Sequence, residues 1–395
     1  MSRIPRSAAL AMALMALLAT ALLPLGAEAA AEGRGFAAHL RAFGLIGRRS
    51  EGSLAEREAL AYIKDRAAAL GIPTRTIPLD RLEDAHSYSS ILTLSIPGPG
   101  RDLLVFIVPL DCHADAPSGE GDAGLALALA EIETLAAERK SGKGPALSVD
   151  FVFLGAERRG RVGEGVTSGP GARWWIDNLD ESRATAVVYL SLDALPGSLV
   201  LRNAIAGTLS PYWLYERMRL ALAASGFDYR LEPNRMQGYR LGLLENPGPL
   251  QPFLGSGIPA LELRSEGAKV VLADPSLPFA LLVRRLTEAG AGPFLDTWDR
   301  DYSTFQLGTF SFVVKEGPFV VFLLCFVALA GALLFVLSIS RREVLLRFAA
   351  KLPRRLAYVG ALALVAVFAL LSMRLGLLVE SGLLGTIEAW RGHPG

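Results

Sequence analysis

Two polar segments concentrate the side chains that could do chemistry, and each follows an apolar run. The run 103–108 leads into Pro109-Leu-Asp-Cys-His-Ala-Asp115 and then into Gly119-Glu-Gly-Asp-Ala-Gly124. The run 149–154 leads into Gly155-Ala-Glu-Arg-Arg-Gly160. Carboxylate and imidazole groups can bind a metal ion or transfer a proton. These two segments are therefore the first candidates for a functional site.

The elements around these segments predict how they are positioned. The two apolar runs are typical of buried strands, and the Ala/Leu segment 123–137 between them is typical of a helix. The order is therefore strand, loop, helix, strand, loop. In an open α/β sheet, ligands bind outside the carboxyl ends of the strands. Both acidic loops are predicted to lie at such ends.

The rest of the chain up to residue 300 extends the same pattern. Ser53-Leu-Ala-Glu56 is a capping-box sequence that predicts a helix from there to Leu70, with Gly71 ending it. Further strands are predicted over 72–79, 90–96 and 185–191, and an amphipathic helix over 211–225. Apolar runs separated by helices predict an α/β fold, with a mostly parallel sheet sandwiched by helices.

The central stretch resembles the di-zinc aminopeptidase family (metallopeptidase family twenty-eight, zinc-dependent exopeptidase-like). Members show His-x-Asp at a strand end, then Gly-Ala-x-Asp-Asn-x-x-Gly, then Phe-x-Phe-x-x-x-Glu-Glu-x-Gly. Here Gly121-Asp122-Ala123-Gly124 and Phe151-Val-Phe-Leu-Gly-Ala-Glu157 fit that frame, and the resemblance covers roughly residues 40–300. It implies two zinc ions that share a bridging carboxylate, and a glutamate that takes a proton from metal-bound water.

Three acidic residues match site positions of the family. Asp122 matches the bridging aspartate, although it could instead be a helix N-cap. Glu157 matches the general base, with a solvated loop glutamate as the alternative. Asp193, in Leu190-Ser-Leu-Asp193, matches the aspartate that completes the first zinc site, with an ordinary loop aspartate as the alternative.

The first histidine of the family has no clear counterpart. His113-Ala-Asp115 has the His-x-Asp spacing but lies well past the strand end. Alignment on the strand end instead places Asp111 at the aspartate and Pro109 at the histidine, and proline cannot bind a metal. His113 is therefore either a ligand of a first metal site, with Asp122 and Asp193, or an exposed loop histidine.

The second zinc site lacks its ligands. Arg158 occupies the position of its glutamate, and a guanidinium has no acceptor atom. The family's Ser-Asp-His is replaced by Gly248-Pro249-Leu250, and the segment after Leu263 that should supply the last histidine has none. The chain is thus expected to be a degenerate member that binds no zinc, with a single zinc ion as the alternative. Arg158 is hypothesised to stand in for the second zinc by pairing with Asp122 or Glu157, or else to face water.

Both ends of the chain carry membrane-type signals. Arg3 and Arg6 precede an uncharged run, 8–23, and the small-residue site Ala27-Glu-Ala29, which together predict a cleaved signal peptide or an uncleaved anchor within residues 1–30. The runs 319–337 and 356–373 contain no charged residue. Each is long enough to cross a bilayer core of about 30 Å at about 1.5 Å per residue.

The segment between the two C-terminal runs predicts the topology. Residues 341–355 carry six basic side chains and one acidic side chain (Arg341, Arg342, Arg347, Lys351, Arg354, Arg355 and Glu343). Positive loops stay cytoplasmic, so a large domain at 40–315 is expected outside the cytoplasm. The predicted order after it is a membrane helix at 318–339, a basic loop at 340–355, a second membrane helix at 356–379 and a short tail at 380–395.

Composition narrows the class of protein. The 395 residues are 51% hydrophobic with a net charge of +1, which favours contact with lipid and gives no sign of a nucleic-acid partner. Only two cysteines are present, and Cys325 lies within an apolar run, so a disulfide framework is not expected.

Three functions are consistent with these observations. The first is a membrane-tethered extracytoplasmic domain without peptidase activity, a pseudoenzyme that binds lipid and other membrane or extracytoplasmic proteins or peptides. The second is an aminopeptidase-type hydrolase that works with one metal held by His113, Asp122 and Asp193, with Glu157 as base. The third is a transporter or channel component, which the two apolar runs support little because they contain no acidic residue. The ligand count favours the first.

Overall fold

A computed structural model describes the structure over residues 35–79, 89–113, 119–158, 169–180, 182–192, 198–205, 208–232, 248–266, 275–288, 294, 299, 302–307 and 310–340. The chain forms two compact units, Met1–Val313 and Val314–Gly395. Asp115 and Asp193, the signal-like segment 1–30 and the chain after residue 340 lie outside the described residues.

Three of the runs predicted as strands form the centre of the sheet. These are β3 (Leu103–Pro109), β4 (Ser148–Leu154) and β5 (Thr185–Ser191), and nearly every residue in them is buried. β-Branched and aromatic side chains dominate all three, which suits strands covered on both faces. Their bounds agree with the prediction to within a residue.

Five further strands complete an eight-stranded sheet. Its order is β1-β2-β4-β3-β5-β10-β6-β9, where β1 is Thr74–Pro78, β2 Ser90–Ile96, β6 Ser198–Arg202, β9 Tyr229–Leu231 and β10 Ala260–Glu266. The pairs β4-β3, β3-β5, β5-β10 and β6-β9 are parallel. The pairs β1-β2, β2-β4 and β10-β6 are antiparallel. The predicted α/β fold with a mostly parallel sheet is confirmed.

Two small sheets lie outside this arrangement. One pairs β7 (Ala204–Ile205) with β8 (Thr208–Leu209) in antiparallel fashion, and the other pairs β11 (Tyr302–Leu307) with β12 (Phe310–Lys315). Neither contains a residue of the predicted site.

Helices cover the sheet, and their ends follow local rules. They are α1 (35–46), α2 (Leu54–Leu70), α3 (Asp122–Lys140), α4 (Pro170–Asp177), α5 (Tyr212–Ser225), α6 (Gln251–Gly255) and α7 (Ser276–Thr287). As predicted, Ser53 caps α2 by accepting a hydrogen bond from the Glu56 N–H at 3.1 Å, and Gly71 ends the helix with φ 72°. The Glu56 carboxylate, however, accepts from the Gly52 N–H and not from that of Ser53, so the capping box is incomplete.

The alternation of side chains along the strands builds two hydrophobic cores. On β3, Leu104, Phe106 and Val108 belong to one core, which includes most of α3. Leu103, Val105 and Ile107 belong to the other, together with residues of α4 and α6. The sheet is therefore covered on both faces, and its strand ends are the edge at which the polar loops meet.

The described part of the second unit forms one long helix, α8 (Glu316–Ser340), with 25 residues. It is uncharged from Gly317 onward, and its large apolar side chains, such as Phe322 and Leu329, are exposed. Within the residues that the structure describes, no helix qualifies as a membrane span, so the predicted membrane helix at 318–339 is not supported by the structure.

Candidate functional site

Asp111 fastens the two strand-end loops to each other. It follows β3, is fully buried, and accepts hydrogen bonds from the backbone N–H groups of Glu157 (3.1 Å) and Arg158 (2.8 Å), just past β4. Burial raises the pKa of Asp111 to about 6, and the two N–H donors and the nearby Arg158 charge offset part of that rise. Its carboxylate is thus committed to the backbone of the neighbouring loop.

Glu157, the predicted general base, is buried rather than solvated. Its Oε2 accepts a hydrogen bond from the Ala172 N–H of α4 at 3.1 Å. Burial and the nearby Asp111 charge raise the pKa of Glu157 to about 8, against smaller lowering effects of Ala172, Arg158 and Tyr189. At neutral pH the side chain is therefore mostly protonated. The alternative of a solvated loop glutamate is wrong, and the role as a base stays a prediction.

The backbone around Glu157 is tightly constrained. Ala156 has φ 56°, the one positive φ of a non-glycine residue within the described parts of the chain. A Cβ on Gly169 would lie 1.9 Å from the Ala156 carbonyl oxygen, and one on Gly171 would lie 2.3 Å from the Gly155 oxygen. The start of α4 therefore lies directly against the turn after β4, and only glycine permits this approach.

Asp122 is the first residue of α3, and Gly121, not Asp122, is the N-cap. The N-cap alternative for Asp122 is therefore wrong. The Asp122 carboxylate instead forms a buried ion pair with the guanidinium of Arg49. A carboxylate in the first turn is also favoured by the helix dipole.

Arg49 is a central residue of this site, and the sequence analysis did not identify it. It lies between α1 and α2 with only 1% of its surface exposed. Besides Asp122, its guanidinium donates to the carbonyl oxygens of Leu110 (3.0 Å), Glu120 (2.7 Å) and Gly47 (3.3 Å). Arg49 and Asp122 are 73 positions apart, and nothing in the local sequence around Arg49 indicates this contact.

Glu120 joins His113 to Arg158. Its Oε2 accepts from the His113 N–H at 2.9 Å, and its Oε1 lies 2.7 Å from His113 Nδ1 and 3.0 Å from Arg158 Nη1. Burial opposes the ionisation of Glu120, but the His113 hydrogen bond and the Arg158 charge outweigh it and lower its pKa. The side chain of His113 is 20% exposed and its Nδ1 is bound to Glu120, so it is not a free loop histidine, and its role as a metal ligand stays a prediction.

The predicted partner of Arg158 requires correction. The hypothesis named Asp122 or Glu157, but the ion pair that the structure shows is with Glu120, and that of Asp122 is with Arg49. The alternative in which Arg158 faces water is also wrong, because its side chain is only 8% exposed. Glu120 was within the quoted acidic loop, yet its type alone did not distinguish it from Asp122.

Glu56 is a further buried carboxyl group near the strand ends. It receives hydrogen bonds from the Ser89 hydroxyl and from the Gly52 N–H, the latter at 2.6 Å. Burial raises the pKa of Glu56 to about 7, with the Ser89 hydrogen bond opposing and the Asp111 charge adding to the rise. The capping-box position of Glu56 predicted the start of the helix, but it did not indicate that the carboxyl group is buried against Ser89.

The described residues do not fit the zinc centre that the family resemblance implies. Within the described part of the chain, no three His, Cys, Asp or Glu side chains are grouped so that they could hold a metal ion. Asp122 and Glu120 are instead paired with buried guanidinium groups, whose fixed charge would repel a divalent cation. Asp193 and Asp115, predicted near the same strand ends, lie outside the described residues.

Comparisons with known proteins give similarities of fold and one family match. A family model described as "TP_0564_1st: family, first domain" matches residues 155–314, less than half of the chain. No curated protein matches the chain.

Several solved structures are similar to the domain. The Fimbriiglobus ruber glutaminyl cyclase has a TM-score of 0.49 at 17% identity, over 65% of this chain and 95% of that one. A leucine aminopeptidase precursor from Bacteroides thetaiotaomicron scores 0.44 at 12% identity, over 65% and 94%. A Zn-dependent exopeptidase from Parabacteroides distasonis scores 0.41 at 13% identity, over 65% and 95%. At these values the likeness assigns no function to this chain.

Proposed function

We propose that this protein is a membrane-tethered aminopeptidase-like domain that binds a partner and does not hydrolyse peptides. The observation that carries the proposal is the pairing of Arg49 with Asp122 and of Arg158 with Glu120. A catalytic metal centre needs carboxylates whose negative charge is available to the ion. Here that charge is already neutralised by two side chains that keep their protons at every physiological pH. The partner class is other membrane or extracytoplasmic proteins or peptides.

Glu157 supports the same proposal by a separate route. A general base must be ionised at the working pH and within reach of the proton that it removes. Glu157 has a pKa of about 8, is buried, and accepts a hydrogen bond from the Ala172 N–H of α4. In this setting it acts as a neutral carboxylic acid that holds α4 to the end of β4.

The raised pKa of Glu157 also supports a second candidate function. Carboxyl groups with perturbed pKa values cluster at catalytic sites, because enzymes tune acids and bases toward neutral pH. This favours a hydrolase with one metal, in which Glu157 transfers the proton and His113, Asp122 and Asp193 hold the ion. Two of these ligands, however, already have partners in Glu120 and Arg49.

Metal content and turnover distinguish the two candidates. Full-length protein would be purified in detergent, its zinc content measured by elemental analysis, and its activity assayed on a panel of aminoacyl substrates. We expect less than one zinc per chain and no turnover above that of the Glu157→Gln variant. Turnover that is abolished by a chelator, restored by zinc and lost in Glu157→Gln would establish the hydrolase instead.

The membrane placement is proposed from the sequence. The uncharged runs 319–337 and 356–373, the basic segment 341–355 and the signal-like start together favour a multi-pass protein with the large domain outside the cytoplasm. The exposed apolar side chains of α8 are consistent with contact with lipid. The second run and the basic segment lie outside the described residues, so this support comes from their sequence alone.

Reporter fusions test this topology. A phosphatase that is active only outside the cytoplasm would be fused after residue 200 in one protein and after residue 348 in another. We expect activity at 200 and none at 348. A cytoplasmic reporter at the same two positions, which should give the opposite pattern, is the control. Phosphatase activity at 348, or its absence at 200, would contradict the topology.

A further inference from the structure

Arg49 connects three segments that meet at the edge of the sheet. Its own loop, which joins α1 to α2, supplies the Gly47 carbonyl oxygen. The segment after β3 supplies the Leu110 oxygen, and the segment before α3 supplies the Glu120 oxygen. The Asp122 carboxylate, on the first turn of α3, completes the set. Four oxygen atoms from three parts of the chain thus surround one cation.

Arg158 makes a similar connection nearby. It lies after β4 and pairs with Glu120, and the same Glu120 carboxylate holds the backbone and ring of His113. A Cβ built on Gly121 would lie 3.5 Å from Arg49 Nη2 and 3.8 Å from Arg158 Nη1. The two guanidinium groups therefore both lie close to Gly121, the N-cap of α3, a glycine with φ 77°.

We propose that Arg49 takes the structural role of a metal ion here, as the permanent cation that joins the strand-end loop after β3 to the start of α3. Arg158 has the same role between the loop after β4 and Glu120. A guanidinium suits this role because it is planar, always charged, and offers five N–H donors to several oxygen atoms at once. Unlike a metal ion, it cannot be removed by a chelator or exchanged.

The balance of charge supports this assignment. A buried guanidinium is unfavourable unless its donors are satisfied and its charge is paired. Arg49 meets both requirements through Asp122 and three carbonyl oxygens. A buried Asp122 likewise requires a cation, so each partner becomes destabilising when the other is removed. The inference goes beyond the proposed function, because it concerns what holds the site together and does not require that a partner be found.

A double-mutant cycle tests the proposal. The variants are Arg49→Met, Asp122→Asn and the two combined, all in the full-length protein in detergent, with thermal unfolding followed by tryptophan fluorescence. We expect each single change to lower the melting temperature by about 10 °C, and the double variant to lose clearly less than the sum. Arg41→Met is the matched control, since Arg41 is exposed on α1 and its hydrogen bond among the described residues is to Ala37 of its own helix. Its melting temperature should change by no more than about 2 °C.

Metal addition and removal form the second arm. The melting temperature of the wild type should be the same with zinc, with a chelator and with neither. A chelator that lowers it, or zinc that raises it by several degrees, would show that an ion and not Arg49 joins these segments. Additive effects in the cycle would overturn the proposal as well. If Arg49→Met does not fold, Asp122→Asn and Arg49→Lys take its place, and the chelator arm remains decisive because it uses the wild type.

Discussion

The two ends of helix α3 carry ion pairs of the same chemistry in opposite surroundings. At its start, Asp122 pairs with Arg49, and the two side chains are 7% and 1% exposed. Near its end, Glu138 pairs with Arg284 of α7, and these are 22% and 57% exposed. Water screens the second pair and is almost excluded from the first. The charge–charge attraction is therefore stronger in the first pair than in the second.

The difference shows which charges of this domain determine its structure. At the buried end, removal of one partner leaves an uncompensated charge that cannot reach water. At the exposed end, the remaining partner is simply hydrated. The buried end is also where the loops after β3 and β4 meet, so charge pairing and loop geometry are coupled there and independent at the other end.

The largest effect is expected from Arg158→Met. The change leaves Glu120 buried beside His113 without its cation, which should cost on the order of 3–5 kcal/mol of the free energy of unfolding. Urea or thermal unfolding of the full-length protein measures it. Arg158→Met with Glu120→Gln should recover part of the loss. A loss below about 1 kcal/mol would mean that this end of α3 behaves like the exposed one.

An intermediate effect is expected from pH. The pKa of Glu157 is raised from an ordinary value of 4.5 to about 8, so the folded state holds a proton that the unfolded state releases. The contribution of Glu157 to the free energy of unfolding is therefore largest below pH 4.5. It falls as the pH rises from 4.5 to about 8 and is constant above that. Asp111 and Glu56, with pKa values of about 6 and about 7, act in the same direction over narrower windows.

Glu157→Gln isolates the contribution of this residue. The amide keeps a carbonyl oxygen for the Ala172 N–H and has no proton to lose. The variant should lose less stability than the wild type between pH 6 and pH 8, by on the order of 1–3 kcal/mol. Melting temperatures at several pH values measure the difference, with Glu138→Gln, at a side chain that is partly exposed, as the control. Parallel curves for wild type and Glu157→Gln would show that Glu157 is ionised throughout.

The smallest effect is expected from Arg284→Met at the exposed end. Because Arg284 is more than half exposed, the loss should be about 0–1 kcal/mol and should shrink at high salt. Unfolding at low and high ionic strength measures it. A loss as large as that of Arg158→Met would mean that burial does not explain the difference in strength between the ion pairs at the two ends of α3.

Several elements could be predicted because their signals are local. The bounds of β2 and β5 agree with the predicted strands residue for residue, since both are short apolar runs with polar flanks. Helix α2 is capped by Ser53 and Gly71 as predicted, because capping depends on the types of a few adjacent residues. The burial of Asp111 and Glu157 could not be deduced in this way, although both were selected as site residues.

The sequence alone determined the α/β class, the central strands and the positions of the acidic loops, since periodicity and capping act over a few residues. Only the tertiary structure decided the partners within the site. Arg49 reaches Asp122 across 73 positions, Arg158 pairs with Glu120, and Glu56 comes near Asp111. Charged side chains of one type look alike in a sequence. Which of them are paired, and which pKa values shift, depends on burial and on neighbours that only the folded sheet brings together.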